Sequence, residues 1–154
     1  MYQKNFFINA FFSKITQLGS VVSYVAALLV MAKLDFKLFY KAAATLALVE
    51  LACTAIKLIC TKARPIAEKN ESNMPALLKM WSSRSFPSLH SARAAALAVI
   101  FSQYYPRDSA VWAVCLAFAL LISYSRVYLK KHDWADVAAG LAMGTLLGLM
   151  GTKF

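Results

Sequence analysis

Residues 111–150 read VWAVCLAFALLISYSRVYLKKHDWADVAAGLAMGTLLGLM. Two long apolar runs enclose a short stretch, 125–136, that holds Arg126, Lys130, Lys131, His132, Asp133 and Asp136. Each run is long enough to approach the roughly 20 apolar residues that cross a bilayer as a helix. Working outward, similar runs occupy about 17–33, 38–60 and 88–104, so with 109–128 and 134–151 five spans are expected. The chain has 154 residues, 60% of them hydrophobic, and a mean hydropathy of +0.57. Backbone exposed to lipid must satisfy its own hydrogen bonds. The expected fold class is therefore all-α, an integral-membrane helical bundle forming one domain over residues 1–154.

The N-terminal segment MYQKNFFINAFFSKIT lacks the basic, apolar, small-residue order of a cleavable signal. Phe6, Phe7, Phe11 and Phe12 with Ile8 and Ile15 are expected to form an amphipathic helix lying in the headgroup zone. Cys53, Cys60 and Cys115 fall in or beside apolar spans, and an odd count in such places argues for packing rather than a disulfide framework. No Cys/His spacing resembles a zinc site.

The net charge is +10. The cations lie mainly in loops between spans and form no nucleic-acid motif, so nucleic acid is excluded as a partner and anionic lipid is favoured. The one long connection is 61–87, in which 74–81 (MPALLKMW) is expected to form a short helix with Pro75 in its first turn. The links at 34–37 and 105–108 are short, as between antiparallel neighbours. With an odd number of spans, 61–87 and 126–133 open on one face, while the short links and the C-terminus lie on the other. Lysine and arginine counts favour a cytoplasmic polar face, through Lys57, Lys62, Arg64, Lys69, Lys79, Arg84, Arg126, Lys130 and Lys131. Cations that bind an anion are, however, poor reporters of topology.

Three segments on that face carry chemistry. Lys57 and Arg64 precede Pro65; Pro87, Ser88, Leu89 and His90 open the third span; Ser125, Arg126, His132 and Asp136 close the set. His132 and Asp136 are four apart, so a carboxylate can hold one imidazole nitrogen and leave the other as a nucleophile or base. Ser88 stands at a helix start, where unpaired N–H groups and the helix dipole attract phosphate. Lys57, Arg64 and Arg126 supply three cations, two of them able to grip phosphate oxygens bidentately. His90 is the other of only two histidines.

Lys57-x6-Arg64-Pro65, Pro87-Ser88-x-His90 and Ser125-Arg126-x5-His132-x3-Asp136 together resemble the signature of the type 2 phosphatidic acid phosphatase superfamily, which are integral-membrane, metal-independent lipid phosphatases. The match covers residues 57–136 in order, spacing and span position. Leu89 stands where the family usually has glycine, and five spans stand where it usually has six. The resemblance implies that His132 attacks phosphorus to form phosphohistidine and that Asp136 orients it. It implies that His90 protonates the leaving oxygen and then activates water. Lys57, Arg64, Arg126, Ser88 and the Leu89 N–H would hold the phosphoryl oxygens, with Ser125 supporting Arg126. No cofactor or metal is expected.

Among relatives, the short chain and basic rim look most similar to bacterial lipid A 1-phosphatases. Phosphatidylglycerophosphate, undecaprenyl diphosphate and phosphatidate stay open as substrates, as does phosphotransfer to an acceptor other than water. By family analogy the site faces the periplasm from a bacterial inner membrane. The competing class is a non-catalytic membrane protein that binds anionic lipid; soluble haloperoxidases share the signature but not the apolar spans. Lys62, Arg84, Lys130 and Lys131 are expected to form a headgroup rim. Glu50 and Arg93, inside spans, are expected to pair, Trp81 and Trp134 to anchor at the interface, and Gly140, Gly144 and Gly148 to permit close helix packing within the bundle. The oligomeric state stays open.

Overall fold

The computed structural model describes residues 6–65 and 83–153, all helix and connection apart from one isolated bridge. The expected helix at 74–81, with Trp81, Lys69 and Lys79, lies outside the described residues. The elements are α1 (Phe6–Leu18), α2 (Val21–Leu34), α3 (Phe36–Ile59), α4 (Leu89–Tyr104), α5 (Ser109–Tyr128) and α6 (Trp134–Gly151). All five expected apolar helices are present, and the fold is an integral-membrane helical bundle.

Three of the helices, α3, α5 and α6, are long and apolar enough to cross a membrane alone. The first expected span, 17–33, is α2, and the expected N-terminal amphipathic helix is α1; the two meet at Gly19–Ser20 with a 52° bend and pass the same test only as a pair. At roughly 1.5 Å per residue, α2 and α4 reach about 21 and 24 Å, short of a full hydrocarbon thickness. α4 tolerates this because it is the central helix: Leu89, Ser91, Ala92, Arg93, Ala94, Ala95, Ala96 and Ile100 are all buried. The outer helices instead expose Leu29, Leu51, Leu58, Val114, Leu116, Phe118, Leu146 and Met150, which in water would be a liability and in lipid is the expected coat.

Short polar residues set the helix ends. Ser20, Asp35, Asp108 and Asp133 each accept a backbone N–H of the first turn of α2, α3, α5 and α6 respectively. At the end carrying both short links, the Tyr104 hydroxyl donates to Asp35 and Lys41 Nζ donates to the Thr152 carbonyl at 2.6 Å.

The contact that most positions the site is α4 on α6. A β-carbon added at Gly140 would lie 2.4 Å from the Ser88 carbonyl oxygen, at Gly144 2.1 Å from that of Ala92, and at Gly148 3.0 Å from that of Ala96. The glycine row thus meets a Ser88, Ala92, Ala96 row, backbone against backbone, within one chain. Glu50 of α3 receives a hydrogen bond from Arg93 Nε, as expected, and Arg93 Nη1 reaches the Gly19 carbonyl at 3.4 Å. This ties α3, α4 and the α1–α2 break together.

Candidate active site

The segment following α3 and the segment preceding α4 are pinned to each other. Ala63 and Arg84 form an antiparallel bridge, Ser85 N–H donates to the Lys62 carbonyl at 2.8 Å, and Arg64 N–H donates to the Ser83 carbonyl at 3.2 Å. Ser85, fully buried, adds its hydroxyl to the Ala63 carbonyl at 3.1 Å. Lys57, buried in the last turn of α3, donates from Nζ to the Arg84 carbonyl at 2.9 Å, and Arg84 returns a guanidinium bond to the Lys57 carbonyl. An ammonium has three donors, so two remain for an anion.

α4 begins at Ser88, after a cis Phe86–Pro87 bond. Ser88 N–H donates to the Asp136 carbonyl at 2.9 Å, which locks the start of α4 onto the first turn of α6. Its hydroxyl is used by no cap and meets the Ser91 hydroxyl at 3.0 Å. Leu89 is 5% exposed and packs with Val49, Cys53, Ala92 and Ala96. The side chain that departs from the family's glycine is therefore absorbed by the α3–α4 core, and its N–H stays at the open helix start.

The 129–133 connection turns back on α5, with Lys131 and His132 N–H both donating to the Arg126 carbonyl, at 3.0 and 3.3 Å. It delivers His132 into the interior, 3% exposed, beside fully buried Asp136. His132 Nδ1 lies 3.4 Å from Asp136 Oδ2, close but without hydrogen-bond geometry, and has no other partner among the described residues. Catalytic hydrogen bonds are often long in an empty site and tighten around substrate. Burial first, then the positive charges of Arg126, Arg64 and Lys57, push His132 down to about 2. The imidazole is thus neutral at ordinary pH, the form a nucleophile needs. The same cations that disfavour a second positive charge favour an incoming phosphate. His90 lies within electrostatic reach of Arg126 and close to His132.

The expected site residues Lys57, Arg64, Ser88, Leu89, His90, Arg126, His132 and Asp136 are brought to one end of the bundle from three distant segments. The expected rim divides. Lys130 is exposed and Lys131 half-buried. Arg84 gives a guanidinium bond to the Lys57 carbonyl, and Lys62 Nζ turns inward to Asp136 Oδ1 at 2.7 Å and Asp133 Oδ2 at 2.5 Å. Thr16 is an addition that sequence reasoning missed: buried in α1, it accepts a 2.8 Å bond from Arg126 Nη1. Phe12 stacks near Tyr128, with ring centroids 4.3 Å apart, and Asn9 accepts from the Tyr128 hydroxyl at 3.0 Å. The phenylalanine-rich helix therefore packs on the site end of α5, a placement that no periodicity in residues 1–16 signals. Among the described residues no three His, Cys, Asp or Glu side chains stand together as a metal site would.

This arrangement can bind a dianion among three cations and a helix start, with one neutral imidazole beside a carboxylate and a second imidazole nearby. A family model described as the PAP2 superfamily matches residues 38–154. No curated protein matches the chain. The crystal structure of Aquifex aeolicus LpxE superposes with a TM-score of 0.82 at 21% identity, covering 99% of this chain and 89% of that one. The first transmembrane PAP2 type phosphatidylglycerolphosphate phosphatase from Bacillus subtilis superposes with a TM-score of 0.77 at 23% identity, covering 99% of this chain and 78% of that one. Both share its fold.

Proposed function

The chain belongs to the PAP2 superfamily, and from that membership we propose that it is a membrane lipid phosphatase acting through a phosphohistidine. One observation carries the reading: the buried, neutral His132 is placed among Lys57, Arg64 and Arg126 with Asp136 behind it. In the proposed reaction His132 Nε2 forms a bond to phosphorus as the bond to the lipid oxygen breaks. The leaving oxygen takes a proton from His90, which carries it once the bound phosphate dianion offsets the neighbouring cations. His90 then accepts a proton from water, whose oxygen displaces Nε2 and releases inorganic phosphate. The three cations, the Ser88 hydroxyl and the Leu89 N–H hold the non-bridging oxygens, where charge is redistributed during transfer. Asp136 holds the imidazole tautomer that leaves Nε2 bare. No step requires a metal.

The substrate proposed first is lipid A 1-phosphate, on the similarity to Aquifex aeolicus LpxE and on the basic positions Lys130 and Lys131 beside the site. Phosphatidylglycerophosphate is the second reading, favoured by the similarity to the Bacillus subtilis phosphatase of that lipid. The tails would stay in the bilayer while the headgroup enters at the site end, which we place on the periplasmic side of a bacterial inner membrane.

The test is phosphate release from purified lipid A, phosphatidylglycerophosphate, undecaprenyl diphosphate and phosphatidate, with chelator present. Wild type is expected to release phosphate from at least one lipid, and His132→Ala to release none while binding it as before. Full turnover by His132→Ala, or turnover abolished by chelator alone, would overturn the mechanism.

A further inference from the structure

Lys62 occupies an unassigned position inside the Lys57-to-Arg64 segment, yet its geometry is built rather than incidental. Its backbone carbonyl accepts the Ser85 N–H at 2.8 Å and also lies 3.3 Å from the Ser85 hydroxyl, and Ser85 is fully buried. From that anchored backbone its ammonium spans two acids, Asp136 Oδ1 at 2.7 Å and Asp133 Oδ2 at 2.5 Å. Asp136 therefore divides its oxygens. Oδ1 takes Lys62, while Oδ2 faces the Asp133 N–H at 3.2 Å and His132 Nδ1 at 3.4 Å.

A carboxylate torsion is broad, so nothing intrinsic to Asp136 fixes the plane in which an oxygen meets the imidazole; the Asp133 N–H holds one oxygen and Lys62 the other. Its neighbour Asp133 is also acidic, and two carboxylates this close disfavour each other's charge unless a cation sits between them. We propose that Lys62 is a positioning residue for His132: by clamping Asp136 through Oδ1 it presents Oδ2 to Nδ1 and leaves Nε2 directed at phosphorus. Lys62 acts through Asp136 and does not touch the substrate. The inference rests on the phosphatase reading for its purpose, and on the two ion pairs for its geometry.

The test compares Lys62→Met, Lys62→Gln and Lys62→Arg in detergent-purified protein. With the lipid that wild type hydrolyses best, Lys62→Met is expected to lower kcat by up to about 100-fold, the size of loss that a misplaced reacting group can cause. KM should stay near the wild-type value. Lys62→Arg should restore most of kcat, and Lys62→Gln, which keeps a donor for Asp136 without the charge, should fall between; it also serves if the methionine variant does not fold. A headgroup contact would behave oppositely, raising KM and sparing kcat, and that result overturns the proposal. The second readout needs no turnover. The chain has two histidines, so nitrogen-15 labelling of histidine resolves them. Lys62→Met should shift the His132 Nδ1 resonance and leave that of His90 in place; an unchanged His132 resonance overturns the proposal. Wild type that releases no phosphate from any lipid would refute the phosphatase reading, and the His132 resonance would still decide whether Lys62 positions the ring.

Discussion

Replacing Gly144 by alanine would put a β-carbon 2.1 Å from the Ala92 carbonyl oxygen and 2.8 Å from the Ala92 Cα. Ordinary contact begins near 3.4 Å, and the obstacle is helix backbone, which cannot rotate aside. α4 and α6 would have to part by roughly 1.3 Å at that level, because a close-packed interior transmits strain instead of absorbing it. Overpacking of this kind costs about 1–3 kcal/mol of stability. The functional cost follows from what the two helices carry: α4 holds Ser88 and His90, α6 holds Asp136, and the Ser88 N–H to Asp136 carbonyl bond of 2.9 Å joins their starts. A misplacement of about 1 Å between acid and nucleophile can cost on the order of 100-fold in rate. Gly144→Ala is therefore expected to lower kcat by about 100-fold in the folded protein. Gly148→Ala has a far smaller predicted effect, since its nearest obstacles, the Val99 Cβ at 2.9 Å and the Ala96 carbonyl oxygen at 3.0 Å, need yield only a few tenths of an ångström, farther from the site. The assay is phosphate release normalised to folded protein, with denaturant titration in parallel. A Gly144→Ala protein with wild-type kcat would refute the claim that α4–α6 separation sets the site geometry, whatever its stability.

Two further outcomes are expected. The folded-state value of His132 lies below its ordinary 6.5, so the unfolded chain takes up this proton first as pH falls. Stability should accordingly be full above about 6.5 and decline below it, by about 2 kcal/mol at pH 5 from this residue alone. His132→Gln should remove that part of the acid sensitivity, and identical pH–stability curves for the two proteins would refute the burial argument. For sidedness, a cysteine at exposed Lys130, in a background with Cys53, Cys60 and Cys115 replaced, should react with an impermeant thiol reagent admitted to the periplasm of intact cells; labelling only after the inner membrane is opened would reverse the proposed orientation.

The parts legible from residue order were those governed by local periodicity and length. The apolar runs located all five core helices. His132 and Asp136 are neighbours, but not as two positions on one helix face: α6 begins at Trp134 with Asp133 as its cap, so His132 arrives from the connection before it. The glycine repeat in α6 announced a close packing face, though not that Ser88, Ala92 and Ala96 would fill it. Other features were illegible for definite reasons. Gly19 and Ser20 separate α1 from α2, but no hydropathy average registers the 52° bend between them. Thr16 looks like any polar residue in an amphipathic helix until Arg126 reaches it.

Residue order by itself determined that this chain is a helical membrane bundle and put the proposed site residues at the ends of its helices, because apolar length and helical period act over a few turns at most. Tertiary structure alone decided how the charges are shared. Lys62 resembled every other loop cation, and Leu89 resembled an intrusion into the site. Only the folded chain turns the lysine onto two aspartates and the leucine into the α3–α4 core. Which cation meets which carboxylate depends on the path of loops joining segments some 70 residues apart, and electrostatic pairing depends on distance in space, which order along the chain does not encode.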